Sequence, residues 1–199
     1  MLQFVLDISL PRPLTEQARI AIEGGCSWAV LADTCRSDAK ITDTEAEAVA
    51  AICREAGIIL TVENNPDLAQ KLGAHGFVIT DKSCGSAVGL RGKLGAEAII
   101  GETVSTPASA MMLERSDIDY GVIDPSLSLE DAMKLVGDSR EAGCRLPLVL
   151  TGDFDATDLP VIQAVGASGV ATSRKLLEAD DPVAAVRRLI EEFNAAKPD

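Results

Sequence analysis

Seven acidic residues recur along this chain, each at or just after the end of an apolar run: Asp7, Asp33, Glu63, Asp81, Glu102, Asp124 and Asp153. Carboxylates at such positions can hold a divalent cation, bind a cationic ligand or move a proton. They are also ordinary helix N-caps, since the loop after a strand leads straight into a helix. On one rim, seven carboxylates would repel each other, so a cation compensates them or several turn away. Glu63, Asn64 and Asp81 form the best set of hard oxygen donors, with Asn64 and Asp81 as the metal candidates. Gly152, Thr172 and Ser173 have the opposite preference. They follow the last two apolar runs, where backbone N–H groups and hydroxyls suit an anion such as phosphate. Arg174 and Lys175 either add charge there or form the solvated face of a helix. The candidate ligand pocket comprises Asp7, Asp33, Glu63, Asn64, Asp81, Glu102, Thr103 and Asp124 beside that phosphate end.

Other reactive side chains carry less. Lys82 is the only lysine close after a strand, and a surface lysine is the simpler reading than a Schiff base. His75, the sole histidine, falls between a helix and the next strand, away from the strand exits. Cys35 and Cys84 lie in strand-to-helix loops with no base partner in view. No residue is thereby assigned a catalytic role.

The elements that must position these groups alternate regularly. Strands are expected at residues 3–8, 28–32, 58–62, 77–80, 96–101, 120–123, 146–151 and 168–172. Between them run helical patterns at 14–22, 43–55, 66–72, 86–94, 107–114, 128–141 and within 155–167, with a last helix at 182–195. Small-residue pairs such as Gly24-Gly25, Ala56-Gly57 and Gly166-Ala167 precede several strands, a repeated helix-stop signal. Eight strand–helix units in one domain point to a compact (β/α)8 TIM barrel spanning residues 1–199, with function at the C-terminal ends of its strands. An open doubly wound sheet is the alternative, lowered because no GxGxxG follows the first strand.

A formal net charge of −13 opposes nucleic-acid or anionic-membrane binding, which needs clustered Lys and Arg. The five cysteines form no CxxC and have no histidine nearby, so free thiols in a reducing, cytoplasmic setting are expected. A basic region followed by a long apolar stretch is missing from the N-terminus, and no run reaches membrane-span length. Assembly into a homo-oligomer stays open.

Three stretches carry a family resemblance: VENNPDLAQKLGAHGFVITDK, GAEAIIGETVST, and LPLVLTGDF with GASGVATSRKLL. In order and spacing they resemble the thiamine-phosphate synthases and their sister group, the thiazole tautomerases. The resemblance implies a compact (β/α)8 barrel. It also implies a transferase reaction joining a pyrimidine diphosphate to a thiazole phosphate, with magnesium, in thiamine biosynthesis. It would seat the thiazole phosphate at Gly152, Thr172 and Ser173.

The chain also departs from the family pattern. After strand two, a Gln-Leu-Arg-x-Lys pattern is replaced by Val30-Leu31-Ala32-Asp33-Thr34. After strand three, Asn-Asp becomes Glu63-Asn64. After strand four, Ser83 stands for the second metal carboxylate, although Asp81 could substitute. The tautomerase histidine aligns near Ser105, and Asp124-Pro125-Ser126 replaces the Thr-rich diphosphate loop. Losing two charge-assisted contacts to a diphosphate costs about 3–6 kcal/mol. Three readings follow: a synthase-class enzyme or a drifted relative acting on another phosphorylated metabolite, a non-catalytic ligand-binding or regulatory barrel, and an unrelated phosphate-binding aldolase or isomerase.

Overall fold

The structure, a computed structural model, describes residues 1–32 and 40–195. Eight parallel strands close into a barrel in sequence order: β1 Leu2–Leu6, β2 Trp28–Leu31, β3 Ile59–Glu63, β4 Gly76–Ile79, β5 Ile99–Val104, β6 Tyr120–Ile123, β7 Leu148–Thr151 and β8 Gly169–Thr172. The ring closes where Leu2, Gln3 and Phe4 pair with Val170, Ala171 and Thr172. The doubly wound alternative is thereby excluded. Helices α1 Leu14–Glu23, α2 Asp43–Glu55, α3 Pro66–Leu72, α4 Ala87–Leu94, α5 Pro107–Leu113, α6 Leu129–Glu141, α7 Leu159–Ala164, α8 Arg174–Leu177 and α9 Pro182–Ala195 surround it.

Local chemistry sets the helix boundaries. Thr42 and Glu45 exchange side-chain and backbone bonds as a capping box at the start of α2. Asn65 accepts from the Leu68 amide with Pro66 in the first turn of α3, and Gly73 ends that helix in the left-handed conformation that an L-residue with a Cβ enters at a cost.

Strand alternation divides the core in two. Phe4, Leu6, Leu60, Val62, Phe77, Ile79, Ile100, Val104, Leu148, Leu150 and Val170 face the helices in one large cluster. Val30, Val78, Tyr120, Val122, Val149 and Ala171 face inward, with Val5, Trp28 and Ile99 against them. The barrel is therefore filled rather than hollow. Tyr120 spans its lower interior, its ring edge-on to Trp28 with centroids 5.5 Å apart. Gly101 makes room for that ring, because a Cβ there would lie 2.5 Å from Tyr120 Cζ.

The largest departures from the expectation lie at the fifth strand and after the eighth. The fifth strand begins at Ile99, three residues beyond residue 96, because residues 95–98 form a turn in which the Ala98 amide bonds the Gly95 carbonyl. The eighth strand is followed by the short α8 before the main closing helix. No helix among the described residues is long and apolar enough to cross a membrane.

Candidate functional site

The inward–outward alternation sorts the candidate residues. Counting by twos from the inward-facing strand positions brings Asp7, Glu63, Thr80, Thr103, Asp124, Thr151 and Ser173 toward the barrel axis at its C-terminal end. The same count sends Asn64, Asp81, Glu102, Gly152 and Thr172 to the helix side. Asp33 lies outside the described residues, as does Cys35. Thr80 and Thr151 escape a reading of strand ends, which looks for charge; strict counting by twos would have found them.

Several helix-side residues are spoken for by their own loops. Glu102 lies inside β5 between the outward Ile100 and Val104, not at its exit, and Lys82 Nζ approaches its Oε1 at 3.8 Å. This corrects its place in the ligand pocket, and the cause is the three-residue shift of β5. Lys82 is itself 85% exposed at the side chain, far from a buried Schiff-base setting.

Asn64 has φ 49°, the one positive value among described non-glycine residues. Its Oδ1 accepts from the amides of Thr80 and Asp81, both at 2.9 Å, and its Nδ2 donates to Thr80 Oγ1. Asp81 Oδ1 accepts from the Ser83 amide at 2.8 Å and caps a 3₁₀ turn, Lys82–Cys84, which holds the carboxyl below its usual acidity range. Magnesium, implied by the resemblance, therefore does not fit the Asn64–Asp81 pair as arranged: Asn64's acceptor is occupied twice and Asp81 turns to its own loop. Among the described residues no three His, Cys, Asp or Glu side chains converge on a metal position.

Asp124 likewise organises loops. Its Oδ2 accepts from Ser105 Oγ at 3.0 Å, and its Oδ1 from Ser126 N and Oγ at 2.9 and 2.7 Å. Glu63 is only 8% exposed and stands above the buried Thr61. Burial pushes the Tyr120 phenol up, with Glu63 among the charges adding to the shift. Gln3 and Thr61 lie near that phenol, yet neither meets the geometry of a hydrogen bond to it.

The opposite side of the mouth is a cavity of about 180 Å³ lined by Val5, Asp7, Thr151, Gly152, Ser173 and Arg174, with Leu10, Pro125, Asp153, Ala171 and Thr172 completing it. Here the donors differ from those read in the sequence. The Gly152 amide bonds the Ala171 carbonyl at 3.0 Å, and a Cβ on Gly152 would strike the Phe154 ring at 2.6 Å. Glycine is required there by its aromatic neighbour. Thr172 Oγ1 donates to the Phe154 carbonyl and accepts from its amide, both at 3.0 Å, so its hydroxyl braces the loop after β7.

Ser173 precedes α8 without capping it. The Leu176 and Leu177 amides bond the Ser173 carbonyl, which leaves the amides of Arg174 and Lys175 in the first helical turn with no carbonyl behind them. The Arg174 guanidinium stands 3.7 Å from Asp153, an exposed pairing weak enough to be exchanged for a better anion. Lys175 instead turns outward to Asp155 and Asp158 at 2.8 and 3.0 Å.

His75 sits at the opposite end of the barrel, where its Nδ1 accepts from the Leu60 amide. Cys26, Cys53 and Cys144 are buried free thiols and Cys84 is half-buried. Burial, assisted by Cys26, pushes the Cys53 thiol up to about 11. None of these groups reaches the cavity.

Known proteins with this geometry are mutually consistent. A thiamine-phosphate synthase of Phocaeicola vulgatus is 30% identical, the match covering 95% of this chain and 96% of that one. One of Halorhodospira halophila is 32% identical, covering 97% and 95%. Among solved structures, thiamine phosphate pyrophosphorylase from Pyrococcus furiosus superposes with a TM-score of 0.81 at 18% identity, covering 98% of this chain and 95% of that one. A 3-hexulose-6-phosphate synthase superposes at 0.71 with 17% identity, covering 96% and 99%; these two likenesses speak for the fold alone. The family described as thiamine monophosphate synthase matches residues 2–176. With that match over most of its length, the chain belongs to the thiamine monophosphate synthase family.

Proposed function

We propose that this barrel seats a phosphorylated small molecule at the ends of β7 and β8 and acts on it in thiamine biosynthesis. The observation that carries the reading is the 180 Å³ cavity at these strand ends, where Ser173 and Arg174 face Asp7 and Thr151. Amides fixed in direction by a strand exit bind an anion without reorganising, and a phosphate can draw Arg174 from its loose pairing with Asp153. The rest of the ligand would then extend past Asp7 and Thr151 toward the axis. A thiazole phosphate is the guest that the family resemblance implies. Purified protein given a thiazole phosphate, the pyrimidine diphosphate and magnesium should yield thiamine phosphate. No product at high protein concentration would remove the synthase reading.

A second reading, a ligand-binding member without turnover, is favoured by one observation. The Asn64 and Asp81 acceptors are consumed by the β4 loop rather than presented to a metal–diphosphate. Calorimetry separates the two. Thiazole phosphate bound with no turnover supports the second reading; turnover rejects it.

A further inference from the structure

One wall of the cavity is made by the loop between β1 and α1, which contributes Asp7 and Leu10. This loop has no strand partner to fix it and is interrupted by Pro11 and Pro13, which donate no amide bonds. One side chain ties its two ends together. Gln17, on the first turns of α1, is fully buried. Its Oε1 accepts from the Asp7 amide at 3.0 Å, and its Nε2 donates to the carbonyls of Asp7 and Arg12, each at 2.8 Å. All three bonds go to the backbone at the two ends of the same loop. A buried amide in the middle of an apolar helix face costs free energy unless so satisfied, and here its satisfaction closes the loop into a ring.

Two further contacts extend the arrangement. Asp7 Oδ1 accepts from the Ser9 amide at 2.7 Å, so fixing the backbone of Asp7 also fixes its carboxylate. Arg12 Nε donates to the Leu177 carbonyl at 3.3 Å, which ties the far end of the loop to α8 on the other wall of the cavity. Thus the two walls, Asp7 and Leu10 on one side and Ser173 and Arg174 on the other, are held in register through the segment that Gln17 organises.

We propose that Gln17 is a positioning residue for this cavity: without touching the ligand, it sets where Asp7 and Leu10 meet a phosphorylated guest. The proposal rests on the reading of the cavity given under Proposed function. The test is calorimetric titration of thiazole phosphate, with inorganic phosphate as a second probe, into the full-length protein. Gln17→Met keeps the volume and removes all three bonds. It should weaken thiazole phosphate binding on the order of tenfold, the scale of a hydrogen-bonded wall lost. Binding of inorganic phosphate, which needs only the α8 wall, should change much less. Ser139→Ala is the control for lost stability alone, since Ser139 is buried and bonds only the Leu135 carbonyl within α6. It should leave both affinities unchanged.

The effect must also run through Asp7. In an Asp7→Asn background, Gln17→Met should add less than its single effect; full additivity would overturn a positioning role. If Gln17→Met does not fold, Gln17→Glu replaces it. This near-isostere keeps the acceptor for the Asp7 amide, and only its neutral form retains a donor. Either form satisfies fewer of the three bonds, so its thiazole phosphate affinity should fall below that of wild type; wild-type affinity would overturn the proposal. Wild-type protein that binds neither probe would overturn the cavity reading and this proposal together. Wild-type binding matched by Gln17→Met would overturn this proposal alone.

Discussion

The two sides of the barrel mouth use similar residues to opposite ends. Around β3 and β4, the polar groups close on themselves: Asn64 takes two amides of the next loop and Asp81 takes the Ser83 amide. Around β7 and β8, the side chains also brace loops, as Thr172 does with Phe154, but the first amides of α8 have no carbonyl of their own helix to bond. The difference teaches that charge at a strand end is a poor guide to a site. An acceptor beside a flexible loop finds backbone donors within two or three residues. A donor at a helix start finds its local remedy in a capping side chain, as at Thr42 and Asn65, and Ser173 supplies none to α8.

The sharpest way to break this comparison is Asn64→Ala. The change strips the Thr80 and Asp81 amides of their acceptor and leaves an alanine at φ 49°. A loss of about 3 kcal/mol is expected, combining unmet amides with left-handed strain. Urea denaturation measures it. Asn64→Asp keeps both accepted bonds and should recover most of the loss. Phosphate affinity on the far side should be preserved in both variants. If Asn64→Ala leaves stability intact but abolishes ligand binding, the β3–β4 side is the site and the comparison is inverted.

Gly152→Ala comes next. Its Cβ would meet Phe154 Cζ at 2.6 Å, and Phe154 is buried at 6% exposure with little room to withdraw. Overpacking of this kind costs about 1–3 kcal/mol. It also displaces the loop that Thr172 holds, so affinity for a phosphorylated ligand should fall together with stability. A stable variant with normal affinity would show that the loop after β7 is dispensable to the cavity.

How much of this was legible beforehand depends on which physical rule set each residue. The barrel was readable because its signal is redundant: eight apolar runs, each followed by a helical pattern and a stop. The position of Ser173 was readable for the same reason. Glu102 was misplaced because residues 95–98 are apolar enough to pass for the start of a strand, yet fold as a turn. That shift of three moves Glu102 from the strand exit into the strand. The Phe154 ring that excludes a Cβ at Gly152 lies only two residues on, yet it gave no signal, because its direction is set by tertiary packing. Gln17 gave no signal at all, because a glutamine on an amphipathic helix reads as solvated until the loop that it closes is in place.

Arg174→Ala sharpens the comparison from the ligand's side. Both members of the Arg174–Asp153 pair are substantially exposed, so the fold should lose no more than about 0.5 kcal/mol. Affinity for a phosphomonoester should nevertheless drop about tenfold through the missing charge-assisted bond. Unchanged affinity would assign binding to the amides alone.

The smallest effect separates the two sides by acidity. Asp155 is held down to about 2, first by its bond from Lys175 and then by Thr157. Its folded acidity lies below the ordinary aspartate value of about 3.9. Its stabilising contribution is therefore complete above that value and is lost as pH falls toward 2. Asp81 is also held down, but by the Ser83 amide of its own turn, without a cation. Urea midpoints of wild type and Asp155→Asn should thus converge between pH 4 and pH 2 and stay apart above, with solvent exposure of the Lys175 pair keeping the gap small. In a Lys175→Met background the gap should narrow at neutral pH to what the Thr157 bonds supply, whereas the corresponding gap for Asp81→Asn should be indifferent to Lys175. Parallel midpoints across the range would mean that the Lys175–Asp155 pair adds nothing to the stability of the fold.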